Sequence, residues 1–140
     1  MTEKFEILGK YIKDMSSETP DAETYIFVKD YIAKYQLNID INSKALKDKM
    51  IEINTIMKFE DKEERKKKSY FEINYATIIK VNDEIKEKKD LEKIILCDVQ
   101  IEIYPHLEKS FLDLLHNSGY ESVKFEKKIN FEKLYNQRFN

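Results

Sequence analysis

The sequence predicts an α+β domain, in which an antiparallel sheet is followed by helices that pack on one face of the sheet. Three observations support this fold class. Apolar and polar residues alternate with a period of two in the first half of the chain, and apolar residues recur at helical spacing after Asn82. The connections between the alternating stretches suit hairpins. A chain of 140 residues can bury a core without disulfides or metals, so we expect one domain over residues 1–140.

The first strand is predicted over residues 4–14, where mixed alternation is typical of a sheet edge. The stretch from Ser16 to Asp21 contains a proline and small polar residues, so we expect a turn there. Residues 22–35 are rich in aromatic side chains but have no clean period. They are predicted to be irregular or partly helical.

Three further strands follow. The clearest begins at Gln36, where Leu37, Ile39 and Ile41 alternate with polar residues. A polar bend at residues 42–48 separates it from a strand over residues 51–59. The run from Glu60 to Lys68 is almost wholly charged and predicts a solvated hairpin loop.

The last strand is predicted over residues 70–79. Its two faces are distinguished by alternation: Phe71, Ile73, Tyr75, Thr77 and Ile79 lie on one face, and Tyr70, Glu72, Asn74, Ala76 and Ile78 lie on the other. The second face is more apolar than exposure to solvent requires.

Helical patterns dominate the rest of the chain. We predict a helix that begins at Asp90 as its N-cap and a kink or break at Pro105, because proline removes a backbone donor and clashes with the preceding turn. A second helical stretch carries Leu107, Phe111, Leu114 and Leu115 at the appropriate spacing. Gly119 is placed to end this helix.

The C-terminal segment is predicted to hold a short strand at residues 122–125 and a final helix. Asn130 is the expected N-cap of that helix, and Phe131, Leu134 and Tyr135 are expected on its buried side.

Composition indicates a folded protein with balanced charges. Charged residues make up 37% of the chain, hydrophobic residues make up 41%, and the formal net charge is −2. This balance is typical of neither a disordered chain nor a nucleic-acid-binding domain. The basic run from Arg65 to Lys68 follows three acidic residues and is interpreted as a soluble loop tip.

The sequence also predicts where in the cell the protein is found. The single Cys97 excludes an internal disulfide, and residues 1–5 contain no apolar run of the kind that opens a signal peptide. No stretch has the 18 or so apolar residues of a membrane span. We expect a cytoplasmic protein.

No catalytic or metal-binding pattern is recognisable in the sequence. His106 and His116 are ten residues apart with no further ligand at metal-binding spacing, so we expect surface or half-buried rings. Cys97 lies in an apolar helical stretch and is expected to be buried and inert. Gly9 and Gly119 are the only glycines, which excludes a glycine-rich phosphate loop. We therefore expect a protein that is not an enzyme and needs no cofactor.

Several ordered motifs carry a resemblance to a known family. The stretch from Tyr11 to Ala22 reads Y-I-K-D-M-S-S-E-T-P-D-A and is similar to Y-x-K-D-x-S-F-E-x-P-x-A. Residues 27–31 read F-V-K-D-Y, similar to F-x-K-D-W, and residues 37–42 match an apolar–polar strand. Tyr104-Pro105 corresponds to an aromatic–proline pair, and residues 129–135 are similar to V-N-F-x-x-L-F. From about Phe5 to Tyr135 the chain resembles SecB, the bacterial export chaperone.

The sequence departs from the family pattern at several positions. Ser17 replaces a phenylalanine, Tyr31 replaces a tryptophan, and Ala76-Thr77 stands where the family has two glycines. The stretch from Tyr104 to Lys109 lacks the family's arginine, and 25 basic residues dilute the usual acidic character.

The resemblance implies a fold, an assembly and partners. It implies a four-stranded antiparallel sheet with helices on one side, and protomers that pair and then form a homotetramer. Unfolded precursor proteins would lie in surface grooves and be held without ATP, because apolar burial is non-directional and accepts many sequences. The motor ATPase SecA would dock through acidic residues on the sheet.

The resemblance also implies two sets of site residues. Tyr31, Leu37, Ile39 and Ile41 correspond to positions that line the client groove, with ordinary core packing as the alternative for each. Asp14, Glu18, Tyr70 and Glu72 correspond to positions that SecA contacts, with solvated strand residues as the alternative.

Two other functions are compatible with the sequence. The first keeps the fold and changes the client, as in SecB relatives that protect the antitoxin of a toxin–antitoxin system. The second is a small-molecule enzyme or binding domain, which would need convergent polar groups in a compact pocket.

Overall fold

The computed structural model describes residues 3–63, 65–125 and 128–139 of the chain, without the side chains of residues 138 and 139. It contains one four-stranded antiparallel sheet with the strand order β1-β4-β3-β2. The strands are β1 (Phe5–Glu18), β2 (Gln36–Ala45), β3 (Met50–Glu60) and β4 (Tyr70–Val81). The predicted α+β class with a four-stranded antiparallel sheet is therefore confirmed.

The helices lie before and after the last three strands. They are α1 (Ala22–Tyr31), which continues as a 3-10 turn (Ile32–Lys34), then α2 (Lys88–Lys93), α3 (Val99–Asn117) and α4 (Phe131–Phe139). A π-helical stretch (Ile94–Asp98) joins α2 to α3. The segment predicted to be irregular or partly helical is thus almost entirely helical, and Asp21 caps α1 by accepting a hydrogen bond from the Thr24 amide at 2.8 Å.

Strand β1 is longer than the alternation predicts. It continues through Ser16, Ser17 and Glu18, where we expected a turn, because each of these residues pairs with a residue of β4. The strand lies at the edge of the sheet, as predicted.

The two faces of the sheet have different surroundings. The inner face of β4 carries Phe71, Ile73, Tyr75, Thr77 and Ile79, all of which are buried. Helix α3 covers this face with Ile103, Leu107, Phe111 and Leu115, which are fully buried at intervals of four residues. The opposite face of the sheet, which we call the outer face, has no helix packed on it among the described residues.

Helix α3 continues through Pro105, so a break at this residue, one of the two predicted outcomes, does not occur. Proline removes the hydrogen bond to the carbonyl four residues earlier, which belongs to Ile101. Ile101 and Pro105 both lie on the exposed side of α3, where water can satisfy this carbonyl. The irregularity lies upstream instead, in the π-helical stretch.

A buried amide stabilises the π-helical stretch. Gln100 is fully buried; its Nε2 donates to the Ile95 carbonyl at 3.1 Å and its Oε1 accepts from Thr55 Oγ1 at 2.9 Å. The amide therefore satisfies a buried carbonyl and connects the helix to β3. The predicted N-cap at Asp90 is wrong, because α2 begins after Glu87 and Asp90 lies in its first turn.

The end of α3 follows the prediction for Gly119. The Tyr120 amide bonds to the Leu115 carbonyl and the Gly119 amide bonds to the His116 carbonyl, each at 3.1 Å. This is a Schellman motif, and Gly119 takes the positive φ of 100° that the motif needs. His116 is half-buried and bonds to the Val123 carbonyl, whereas His106 is exposed.

The C-terminal segment corrects two predictions. Residues 122–125 form no strand, because no strand of the described sheet pairs with them and their apolar side chains pack on the core instead. Asn130 caps α4 as predicted, and Phe131 and Tyr135 are buried. Leu134 is 49% exposed, because the four-residue spacing of the two aromatic residues defines the buried side and leaves Leu134 beside it.

The loop after β3 is only partly solvated. Asp61 is buried and accepts a hydrogen bond from the Arg65 guanidinium at 2.7 Å, and Arg65 also bonds to Glu63 at 2.6 Å. The expectation of a wholly solvated charged loop is therefore wrong at Asp61. The loop also includes Glu64, which lies outside the described residues.

Candidate functional site

An open groove of about 850 Å³ lies between the sheet and the segment that follows α3. One wall comes from the 3-10 turn and the adjoining ends of β2 and β3, and the other comes from residues 122–125 and Ile129. Most lining side chains are apolar; the described lining residues are Ile32, Ala33, Tyr35, Gln36, Leu37, Phe59, Ser122, Val123, Lys124, Phe125 and Ile129. We refer to this feature as the groove.

Contacts between aromatic rings attach the lining of the groove to the hydrophobic core. Phe59 contacts Tyr35 with ring centroids 5.6 Å apart and Phe125 with centroids 5.7 Å apart. Phe125 also stacks on the buried Phe111 of α3. Burial raises the pKa of the Tyr35 phenol, whose oxygen accepts a hydrogen bond from the Ser69 amide. The surface is therefore apolar and anchored on the core.

The residues predicted to line the client groove do not all lie in the groove that the structure shows. Leu37 lines the groove. Ile39 and Ile41 lie further along the inner face of β2, half-buried and packed against the core. Ile39 also packs against the cluster formed by Cys97, Phe131 and Tyr135.

Tyr31 lies next to the groove in sequence but is not one of its lining residues. Its ring contacts Phe27 with centroids 4.7 Å apart. The Arg65 guanidinium lies 4.7 Å from the Tyr31 ring centroid, and Lys34 Nζ lies 5.7 Å from it. Tyr31 therefore links α1 to the loop that follows β3.

Of the residues that line the groove, only Leu37 was predicted from the sequence to do so. Val123 and Phe125 were interpreted as part of a strand, and Ile129 was noted only for its match to the family's closing motif. The available signal was the apolar spacing of these three residues in a segment with no partner strand. Tyr35 and Phe59 could not be distinguished from ordinary core residues.

The predicted SecA-contacting residues share the outer face of β1 and β4. These strands are neighbours; Glu18 pairs with Tyr70, Ser16 with Glu72, and Asp14 with Asn74. Paired residues point to the same side of a sheet, so Asp14, Glu18, Tyr70 and Glu72 lie on one surface, which we call the outer patch. Tyr70 is 57% exposed and lies at the end of the patch where β1 ends and β4 begins.

Cations partly neutralise this outer face. Lys58 Nζ lies 3.4 Å from Glu72 Oε1. Lys13 Nζ lies 3.2 Å from Glu52 Oε2, and Tyr11 donates a hydrogen bond to the other Glu52 oxygen at 3.3 Å. Hydrogen bonds from Asn54 and Lys13 lower the pKa of Glu52.

The contacts of Glu52 reach across a whole strand. Tyr11 and Lys13 lie on β1 and Glu52 lies on β3, so their side chains span β4. Ala76 pairs with both Tyr11 and Asn54, and its small side chain leaves room for the crossing. The crossing of these side chains over β4 therefore explains why a small residue occupies position 76.

The described residues contain no group of side chains suited to hold a metal ion. Cys97 is fully buried, as predicted, and burial raises the pKa of its thiol. None of the described helices is both long enough and apolar enough to cross a membrane.

Comparison with known proteins gives consistent results. The family model described as preprotein translocase subunit SecB matches residues 1–140. A SecB-type export protein of Pelagibacter ubique is 61% identical over 140 residues and both chains are fully covered. A protein-export protein SecB of Alkalilimnicola ehrlichii is 25% identical over 97% of this chain and 70% of its own length.

A solved structure supports the same fold. The SecB-like chaperone of Mycobacterium tuberculosis, determined in complex with an antitoxin peptide, superposes with a TM-score of 0.64 over 90% of this chain and 91% of its own. At 10% identity, this similarity concerns the fold alone. The family match over the whole chain and the full-length relative together show that the chain belongs to the SecB family of chaperones.

Proposed function

We propose that the protein is an ATP-independent holdase that keeps unfolded precursor polypeptides in the groove and delivers them to the SecA export motor from the cytoplasm. The observation that carries the proposal is the open, apolar lining of the groove, with Leu37, Phe125 and Ile129 among its side chains. The protein-export names of the relatives support the export role.

The size of the groove suits weak, non-selective holding. Burial of a large apolar side chain stabilises a complex by about 1.5–3 kcal/mol. A few such anchors, reduced by the cost of ordering the client, correspond to roughly micromolar affinity at one groove. Several grooves on one assembly would raise the avidity by orders of magnitude. Retention of a long client then requires no nucleotide.

The groove can be tested by its effect on aggregation. Purified protein should suppress aggregation of a chemically unfolded client in proportion to its concentration and without ATP. The double variant Leu37→Ser with Ile129→Ser should lose most of this suppression, because it removes two half-buried apolar contacts for the client. Light scattering by the client during refolding measures the effect.

The control is Ile26→Ser, which removes an apolar side chain that is 65% exposed on α1 and does not line the groove. Circular dichroism should show that both variants remain folded. Equal suppression by the wild type and by a folded double variant would contradict the proposal. Tyr31, Ile39 and Ile41 remain proposed client contacts, but replacing Ile39 or Ile41 should also reduce stability because both pack on the core.

We also propose a homotetramer. Edge strand β1 carries Leu8, Tyr11, Ile12 and Met15, each between 41% and 47% exposed. Apolar side chains concentrated on an unpaired edge invite association between copies. Light scattering at micromolar concentration should give about four times the 16.9 kDa of one chain. A stable mass of one chain would refute this assembly.

The outer patch is the proposed SecA-docking surface. Its carboxylates at Asp14, Glu18 and Glu72 lie on two adjacent strands and can act together on a basic partner. A dedicated antitoxin chaperone would use the same groove without this surface, so SecA binding separates the two functions. A small-molecule-binding domain would need a compact polar pocket, whereas the groove is open and mostly apolar.

A further inference from the structure

A largely buried ion pair lies in the loop that follows β3. The side chains of Arg65 and Asp61 are only 14% and 2% exposed, and their charged groups are 2.7 Å apart. The neighbouring pair of Lys62 with Glu60 is much more open, at 47% and 37% exposed. Removing a charge pair from water costs about as much as the attraction returns, so stability alone gives little reason to bury one. We call Asp61 and Arg65 the loop pair.

The loop pair directs the guanidinium group of Arg65 onto an aromatic ring. Arg65 Nη1 bonds to Asp61 and Nη2 bonds to Glu63 at 2.6 Å, which fixes the plane of the group. Asp61 is fixed in turn, because its Oδ1 also accepts a hydrogen bond from the Glu63 amide at 3.0 Å. The guanidinium carbon lies over the Tyr31 ring, 4.7 Å from its centroid. A cation–π contact is stronger when the cation is shielded from water, as Arg65 is here.

Tyr31 lies at the junction between α1 and the groove. It is the last residue of α1, and the next residue, Ile32, begins the 3-10 turn and lines the groove. The ring of Tyr31 is half-buried and contacts Arg65 instead of lining the groove. The ring face that the guanidinium covers is not available to a client.

We propose that Arg65 is a positioning residue that keeps the Tyr31 ring out of the groove, so that a client must displace the guanidinium to contact this ring. The inference rests on the proposed holdase function and adds a contact within the chain that competes with the client. If most molecules have the ring covered, the affinity for a client that uses Tyr31 falls by the fraction of molecules in which the ring is free. A shielded cation–π contact corresponds to a factor of about two to thirty in that equilibrium.

The test neutralises the loop pair with the double variant Asp61→Asn and Arg65→Gln. This variant leaves no unpaired charge in the buried part of the loop and does not alter the net charge of the chain. The probe is a fluorescein-labelled peptide with an apolar centre and uncharged flanks. Fluorescence anisotropy should show that the variant binds it at least about twofold more tightly than the wild type does.

The matched control is the double variant Glu60→Gln and Lys62→Gln. It neutralises the exposed ion pair of the same loop, also without a change in net charge, and has no contact with Tyr31. This control should bind the peptide as the wild type does. Circular dichroism should show that both double variants are folded.

A third comparison separates an effect through Tyr31 from a general loosening of the loop. In a Tyr31→Leu background, neutralising the loop pair should leave peptide affinity unchanged, because the ring that Arg65 covers is absent. A loosened loop would instead raise the affinity in both backgrounds.

A fluorescent reporter measures the covering of the ring directly. The chain contains no tryptophan, so Tyr31→Trp introduces a single fluorophore at this position. Quenching by acrylamide should rise when the loop pair is neutralised in the Tyr31→Trp protein and should not rise in the Glu60 and Lys62 control. Unchanged quenching would show that Arg65 does not cover the ring, and would overturn the proposal.

The outcomes distinguish this proposal from the holdase function. If the wild type binds the peptide and the neutralised variant binds it no more tightly, the role of Arg65 is refuted and the holdase function stands. Equal tightening in the Tyr31→Leu background or in the control would also overturn that role. If the peptide binds to none of the proteins, the groove is not a client site and both proposals fail.

Discussion

Replacing Gly119 with alanine should lower the free energy of unfolding by about 2–4 kcal/mol. Gly119 has a φ of 100°, a conformation that side chains with a Cβ rarely adopt. A Cβ built there would also lie 2.6 Å from Cε1 of Tyr25, so this ring would have to move. The Tyr25 hydroxyl donates a hydrogen bond to the Gly119 carbonyl at 2.8 Å, and a movement of the Tyr25 ring would strain this bond.

The measurement is thermal and chemical unfolding at fixed protein concentration, since assembly makes the midpoint depend on concentration. A loss of about 3–4 °C in Tm is expected for each kcal/mol. Gly9→Ala is the matched control, because a Cβ at Gly9 meets nothing within 4 Å. The control should be neutral or stabilising by up to about 1 kcal/mol, since alanine reduces the entropy of the unfolded chain. A Gly119→Ala variant as stable as the control would refute the packing argument.

The architecture was predictable because local patterns and burial agree in the sheet. The alternation around Phe71 and Ile73 places these residues on one side of β4, and that side is the buried inner face. Leu107, Phe111 and Leu115 likewise identify the buried side of α3. In these elements one periodicity determines both the local structure and the side that packs.

Predictions were wrong where tertiary context overrides local pattern. Val123 and Phe125 alternate like a strand, but no neighbouring edge is available and their side chains pack on the aromatic core. Pro105 is tolerated in α3 because the carbonyl that it leaves unpaired lies on an exposed side. Neither the partner edge nor that exposure can be obtained from one local stretch of sequence.

The candidate site, like the fold, could be predicted from the sequence only in part. Leu37, which the resemblance to the SecB family assigns to a client-binding position, is one of the residues that line the groove, and its contact with clients stays a prediction. Its second wall comes from an irregular segment after α3, whose position depends on the packing of Phe125 between Phe59 and Phe111. The outer patch required the pairing of β1 with β4, which no local pattern specifies.

Replacing Glu72 with lysine should abolish association with SecA and leave aggregation suppression unchanged. Glu72 lies on the outer face, paired with Ser16, between the positions of Asp14 and Glu18 along β1. The substitution reverses one charge of the outer patch and places a second ammonium group next to Lys58. A basic segment of SecA would then be repelled, whereas the groove is unaffected because its lining does not include residue 72.

The neighbouring Lys58 gives the reciprocal variant. Its ammonium group lies 3.4 Å from Glu72 and partly neutralises the outer patch. Lys58→Gln should therefore strengthen SecA binding, by about two- to fivefold for the removal of one exposed charge pair. Opposite changes from two adjacent residues would be difficult to explain by a general loss of structure.

The binding of purified SecA is measured by interferometry at low and at high salt. Wild-type affinity should fall as salt rises, because exposed charges are screened beyond ~8 Å at physiological ionic strength. Glu84→Lys is the matched control; it makes the same charge change at an exposed loop residue after β4 and should bind SecA normally. If Glu72→Lys binds SecA as tightly as this control does, the outer patch does not dock the motor. The dedicated antitoxin chaperone would then be the function that best explains a groove without an export partner.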